Sequence, residues 1–278
     1  MKHIYLNLKR FDVPVQYGGV NRLSDVKDWG GYIVANTQSA LKDYCPDEAE
    51  FVQYFPEAHI LSALKARDEK NPLQIGCQGV YRLDTSAGGN FGAFTTNRTA
   101  SAAKAMGCTS TIIGHCEERS DKMGVLAQAG VSDADAVNRL LNQEIKQAAA
   151  RGLSVLYCIG ETSEEQPRWE QVLERQLRVG LDGVDTENVV IGYEPIWSIG
   201  PGKTPADRAY ITKVARFVKE VTGGADVVYG GGLKLDNAAM LASIDEIDGG
   251  LIALTRFQGE IGFYPEEYIQ IIRAYLGK

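Results

Sequence analysis

The sequence predicts an α/β protein, a single (β/α)8 barrel formed by residues 1–278, and three observations lead to it. Eight short β-branched runs alternate with helical patterns along the chain, the order that builds a parallel sheet. The runs are nearly continuous in apolar residues, as strands covered on both faces must be. The length suits one barrel of about 250 residues as well as it suits two smaller units.

The expected strands are 3–9, 50–55, 73–79, 111–115, 154–161, 189–194, 226–231 and 250–257. Helical patterns fall between them at 57–68, 101–106, 133–151, 169–181, 207–222 and 236–243. Asp207 and Asp236 stand where N-cap or first-turn residues belong. An open doubly wound sheet is the structural alternative. It expects a G-x-G-x-x-G turn after the first strand, where Lys9-Arg10-Phe11-Asp12-Val13-Pro14 stands instead. Two connections look long for a barrel, 11 to about 30 after strand one and 116 to about 132 after strand four. Both follow strand C-termini, so tolerated insertion and a part in substrate choice are equally open.

Composition narrows the partners. A net charge of -7 argues against nucleic acid, whose backbone asks for a basic face, yet leaves a small anionic substrate open. The N-terminus has too short an apolar core for a signal peptide, and no apolar run approaches the roughly 18 residues that span a membrane. Five cysteines (Cys45, Cys77, Cys108, Cys116, Cys158) without a C-x-x-C pair read as free thiols, and the expected location is the cytoplasm. Asn97-Arg98-Thr99 is a chance match to a glycosylation acceptor. The three histidines, His3, His59 and His115, have no metal-ligand spacing, so neither metal nor cofactor is expected.

Polar residues at strand C-termini converge on one mouth of a barrel. Here they are Asn7 and Lys9, His115, Glu161, Glu194, and the run Gly230-Gly231-Gly232. Each alone has an ordinary explanation as a solvated charge, a structural histidine or a tight loop. Together they supply a base, an electrophile, a cation and an anion-binding nest, the set that proton transfer beside a carbonyl requires.

These residues also carry a family resemblance along nearly the whole chain. Tyr193-Glu194-Pro195-Ile196-Trp197-Ser198-Ile199-Gly200-Pro201-Gly202-Lys203-Thr204-Pro205 resembles the base and lid of triosephosphate isomerases. Ile112-Ile113-Gly114-His115-Cys116-Glu117-Glu118-Arg119 is similar to the family's electrophile motif, and Asn7-Leu8-Lys9 to its first strand. Leu156-Tyr157-Cys158-Ile159-Gly160-Glu161-Thr162 and Tyr229-Gly230-Gly231-Gly232 resemble its fifth strand and phosphate loop. The resemblance implies a TIM barrel and an aldose–ketose isomerase of small phosphosugars, with Glu194 as base. It implies a neutral His115, its pKa lowered by a helix N-terminus, polarising the carbonyl. It further implies Lys9 as the cation beside the enediolate, Asn7 as an orienting group, and phosphate contacts at Gly200, Gly231 and Gly232. Glu117 matches a family carboxylate that would fix Lys9 or relay protons, although a first-turn helix charge needs no such role.

Departures cluster at the phosphate end. Gly232 stands where the family usually has serine, and Ala253 and Leu254 replace a Gly-Gly pair. Arg256 would compensate as a phosphate clamp, a surface salt bridge being its ordinary alternative. Gly92-Ala93-Phe94-Thr95 matches the family's interlocking loop and implies a homodimer, but Asn97 and Glu118 replace a glutamate and an arginine. The altered loops resemble the family branch that isomerises tetrulose phosphates such as erythrulose phosphate, so triose and tetrulose phosphate both stand. Two other readings remain: a phosphosugar-binding sensor on the same barrel, or a hydrolase using Glu161 and Glu194 as paired carboxylates.

Overall fold

A computed structural model describes residues 1–199 and 203–278. Eight parallel strands close into one barrel: β1 (Lys2–Asn7), β2 (Ala49–Phe55), β3 (Leu73–Cys77), β4 (Ser110–Ile113), β5 (Ser154–Ile159), β6 (Val189–Tyr193), β7 (Val227–Tyr229) and β8 (Gly249–Ile252). Closure is direct, with Tyr5 of β1 in register with both Val52 of β2 and Leu251 of β8. Around them run helices α1 (Trp29–Leu41), α2 (Glu57–Ala66), α3 (Ala100–Met106), α4 (Cys116–Gln128), α5 (Ala134–Ala150), α6 (Trp169–Gly180), α7 (Arg208–Thr222), α8 (Ala238–Ala242) and α9 (Pro265–Leu276). No described helix is long and apolar enough to cross a membrane.

Strand alternation divides the core in two. Along β1, Tyr5 points inward, where it packs with Val52, Tyr54, Ile112, Leu156, Cys158, Val228 and Leu251 to fill the barrel. Its neighbours Ile4 and Leu6 point outward into the larger layer between strands and helices. Helices α3, α5 and α7 begin at Thr99, Asp133 and Asp207, whose side chains accept the N–H groups of Ala102, Ala136 and Tyr210. Asp236 does not cap α8. Asn237 precedes that helix, and its side chain instead accepts the N–H of Lys234.

Two expectations change. The connection after β4 is not an open loop, because α4 fills most of it, with Glu117 and Glu118 in its first turn. Strand eight stops at Ile252 rather than 257. The N–H groups of Thr255 and Arg256 both turn to Gly262 O, closing a separate excursion between β8 and α9. The 8–28 connection is a folded unit. Asp12 is buried and sits 3.1 Å from His59 Nε2, while Asn21 Nδ2 donates to Asp12 O and Ser24 O. Its tight return needs Gly19, where a Cβ would lie 2.0 Å from Val13 O. Arg22 then donates to Ile261 O at 3.0 Å, clasping this excursion to the one after β8.

Candidate active site

Glu194 follows the last residue of β6 and is only 2% exposed. Its N–H donates to Ile159 O at 2.8 Å, continuing the ladder, so its side chain emerges at the barrel's C-terminal mouth. Flanking glycines make the room. A Cβ on Gly160 would lie 2.0 Å from Glu194 O, and one on Gly230 would lie 2.8 Å from Glu194 Cγ. The carboxylate is held at both oxygens. Oε2 accepts the N–H of Cys116 at 2.9 Å, and Oε1 lies 3.0 Å from His115 Nε2.

His115 is the N-cap of α4, and its Nδ1 accepts the N–H of Glu117 at 3.3 Å. An accepting Nδ1 places the ring hydrogen on Nε2, facing Glu194. Burial lowers the imidazole pKa, but the charge of Glu194 and the hydrogen bonds of Cys116 and Glu194 raise it to about 10. The expected lowering therefore does not hold in this arrangement, where the adjacent carboxylate outweighs burial. The α4 N-terminus still opposes a charged ring, since a second ring hydrogen would face the Glu117 N–H.

Lys9 enters the same mouth from the end of β1. Its backbone lies at φ +41°, a left-handed conformation uncommon for a side-chain-bearing residue and of the kind that gathers at functional sites. Three contacts hold this local structure. The Lys9 N–H donates to Asn7 Oδ1 at 3.0 Å, Gln78 Nε2 donates to Lys9 O at 3.0 Å, and the ammonium donates to Glu117 at 2.8 Å. Burial raises the Glu117 pKa, but the Lys9 hydrogen bond and charge bring it below the usual value. A pocket of about 450 Å³ is lined by Asn7, Lys9, His115 and Glu117 together with Phe11, Gly19 and Val20 of the 8–28 excursion.

Glu161 takes a different place from the one a paired-carboxylate hydrolase would need. It is fully buried behind the mouth, and its Oε1 accepts from Tyr193 OH, Trp197 Nε1 and Tyr210 OH at 2.9, 2.7 and 3.0 Å. Burial raises its pKa despite these donors. It ties the short helix Ile196–Ser198, just after Glu194, to β6 and α7. Arg256, expected at the phosphate, has its guanidinium on Glu267 and over the ring of Tyr264, 3.8 Å from the centroid. Gly231 and Gly232 lie past β7 at the mouth, and Gly200 falls outside the described residues.

Sequence reasoning passed over Gln78, the N–H of Cys116 and the aromatic partners of Glu161. Gln78 directly follows the third strand, which was a usable signal. The others depend on contacts across the barrel. The same is true of metal donors: His115, Cys116 and Glu194 bring ligand atoms within 4.8 Å of one another, which histidine spacing does not reveal. Lys9 and the α4 N-terminus both disfavour a cation there.

The sequence profile described as "Triosephosphate isomerase" matches residues 32–274. The chain belongs to the triosephosphate isomerase family. It is an isomerase. Among its relatives, the triosephosphate isomerase of Syntrophotalea carbinolica is 32% identical over 254 residues, 87% of this chain and 90% of the relative. That of Xanthobacter autotrophicus is 34% identical over 229 residues, 79% and 81% of the two chains. The solved triosephosphate isomerase of Bartonella henselae covers 99% of this chain and 98% of its own, with a TM-score of 0.69 and 23% identity, a likeness of fold alone. The family profile begins after Asn7 and Lys9, so their assignment rests on the geometry of the mouth.

Proposed function

We propose that this isomerase interconverts a short ketose phosphate and its aldose isomer by proton transfer through an enediolate. The observation that carries this reading is the buried carboxylate of Glu194, 3.0 Å from the imidazole of His115 at the C-terminal mouth of the barrel. In the proposed cycle Glu194 leaves His115 and Cys116, removes a proton from the carbon beside the carbonyl, and returns it to the neighbouring carbon. His115 then loses the charge that raises its pKa. Burial, the largest influence on the ring, and the α4 N-terminus then favour a neutral imidazole against the remaining contact with Cys116, and its Nε2–H polarises the carbonyl oxygen. Lys9 balances the enediolate's charge, Asn7 orients the substrate, and Glu117 positions Lys9. Gly200, Gly231 and Gly232 are assigned to the phosphate. The electron count of the substrate is unchanged, so the step calls for no redox cofactor.

Between a triose and a tetrulose phosphate, the reading favours the four-carbon compound, such as erythrulose phosphate. Its support is the 8–28 excursion, which lies outside the family match yet brings Phe11, Gly19 and Val20 to the pocket of Lys9 and His115. An unusual wall beside ordinary catalytic residues fits a change of substrate with retention of chemistry. The test is a side-by-side assay of dihydroxyacetone phosphate and the erythrulose phosphates. An erythrulose phosphate is expected to lead in kcat/KM by about tenfold, an apolar-pocket discrimination of ordinary size. A lead for the triose would overturn the substrate assignment. Glu194→Asp should keep KM and lose about a hundredfold in kcat, because a retracted base misses its attack geometry. Near-normal turnover would remove Glu194 from the role of base. Absence of solvent hydrogen exchange at the carbon beside the carbonyl, with phosphosugar still bound, would favour the sensor.

We further propose a homodimer in the cytoplasm. The loop containing Gly92-Ala93-Phe94-Thr95 leaves Phe91 87% and Leu83 51% exposed, apolar surface suited to a second copy. The described thiols are all free, which fits a reducing compartment. A monomeric mass in light scattering would overturn the dimer.

A further inference from the structure

The loops after the seventh and eighth strands are a recurrent place for phosphate in barrels of this type. Here they offer backbone donors: the N–H groups of Gly231, Gly232, Ala253 and Leu254 have no acceptor among the described residues. Backbone N–H groups set in a concave turn form an anion-binding nest, but the residues that carry these four, two glycines, an alanine and a leucine, bring no cation to it. Arg256 does not fill that role in this arrangement, since Glu267 and the Tyr264 ring occupy its guanidinium.

A different cation lies beside the nest. Lys234 follows the glycine run by two residues and is half-buried. Its Cε would be 3.3 Å from a Cβ at position 232, so its stem folds back over Gly232. Its Nζ rests over the ring of Phe257, 4.1 Å from the centroid, on the excursion after β8. Among the described residues it makes no ion pair. Gly232 makes this fold-back possible in two ways. Its φ of +97° is poorly accessible to a residue with a Cβ, and a side chain there would crowd the lysine stem.

We propose that Lys234 is the cationic phosphate-binding residue of this site, turning from the Phe257 ring onto a phosphate seated on the N–H groups of the two loops. The proposal rests on the reading that the substrate is a phosphosugar. A cation over an exposed ring is held more weakly than one hydrogen-bonded to an anion, so the ring serves as a resting place that phosphate outcompetes. The glycine at 232 is then part of the grip rather than a loss from it.

The test is calorimetric titration of the full chain with inorganic phosphate, alongside KM and kcat for whichever phosphosugar it turns over. Lys234→Met should weaken phosphate binding about tenfold and raise KM about as much, with kcat within about threefold. Lys234→Arg should recover most of the affinity, which a merely structural role for the stem would not require. Lys234→Gln serves as a second charge-removing variant should the methionine disturb folding. Arg256→Met is expected to hold phosphate within about twofold of the parent. Unchanged phosphate affinity in both charge-removing variants, or its loss in Arg256→Met, would overturn the assignment. A chain that turns over no phosphosugar but still loses phosphate binding with Lys234→Met would sink the functional reading and leave the lysine in place. Turnover with phosphate affinity indifferent to Lys234 would do the reverse.

Discussion

At the scale of single residues, Glu194 owes its position to what its neighbours lack. Gly160 and Gly230, at the ends of the two adjoining strands, carry no Cβ on the sides that face it. Gly230→Ala would place a carbon 2.8 Å from Glu194 Cγ and 2.9 Å from Tyr193 O, pushing the carboxylate out of line. A displacement on the order of 1 Å costs about a hundredfold in rate, and kcat of that variant should fall by this amount. Far-UV circular dichroism would establish that the barrel persists, and an unchanged kcat would show that the glycine is not a steric requirement. Glu194 and His115 were legible in the sequence because strand ends and local motif both mark them. Their mutual hydrogen bond was not, and it reverses the direction expected for the histidine.

At the scale of elements, the segment leaving β6 is anchored through Glu161. Three donors from Tyr193, Trp197 and Tyr210 converge on one carboxylate oxygen, so β5, β6, the Ile196–Ser198 turn and α7 meet at a buried charge. Trp197→Phe keeps the edge-on packing with Tyr210 but removes one charge-assisted hydrogen bond. It should lower stability by about 2 kcal/mol, measured by denaturant unfolding. A loss within experimental scatter would mean that water replaces the indole N–H without cost. Helix legibility followed amphipathicity. α5, α6 and α7 show strong apolar faces, whereas α4 buries only Arg119 and so has no apolar stripe by which its sequence could announce a helix. α1 opens on Trp29-Gly30-Gly31, and those glycines argue against a helix locally. Gly30 is needed all the same, because a Cβ there would lie 2.6 Å from His59 O of α2.

At the scale of the whole molecule, the end of the barrel opposite the mouth carries a pH-sensitive tie. His3 of β1 lies 2.7 Å from Glu50 of β2 and 2.9 Å from Asp226 just before β7, and Tyr5 OH also donates to Glu50. Burial alone would lower the His3 pKa, but the hydrogen bonds and charges of both carboxylates raise it above 6.5. Burial would raise that of Glu50, yet His3, Tyr5 and Gln74 bring it below 4.5. The histidine's contribution is complete below 6.5 and fades as pH rises through its folded value. The glutamate's is complete above 4.5 and fades as pH falls through its folded value, so both act together between the two. His3→Gln should therefore lower Tm by about 2–4 °C inside that window and converge on the parent at higher pH. A difference in Tm independent of pH would show that packing, not charge, holds this end.

The sequence by itself determined the fold class, the order of the strands and the residue types at their ends that resemble the family's motifs. Apolar runs, helical periodicity and short motifs are local properties, and all are written residue by residue. Only the tertiary structure decided what those groups do to one another. Closing the barrel brings Glu194 to His115 and Glu161 to its aromatic donors, folds the 8–28 excursion onto the mouth, and engages Arg256 while Lys234 lies over Gly232. Distances across a barrel depend on register and closure, which couple residues far apart in the chain, and no spacing along the sequence records them.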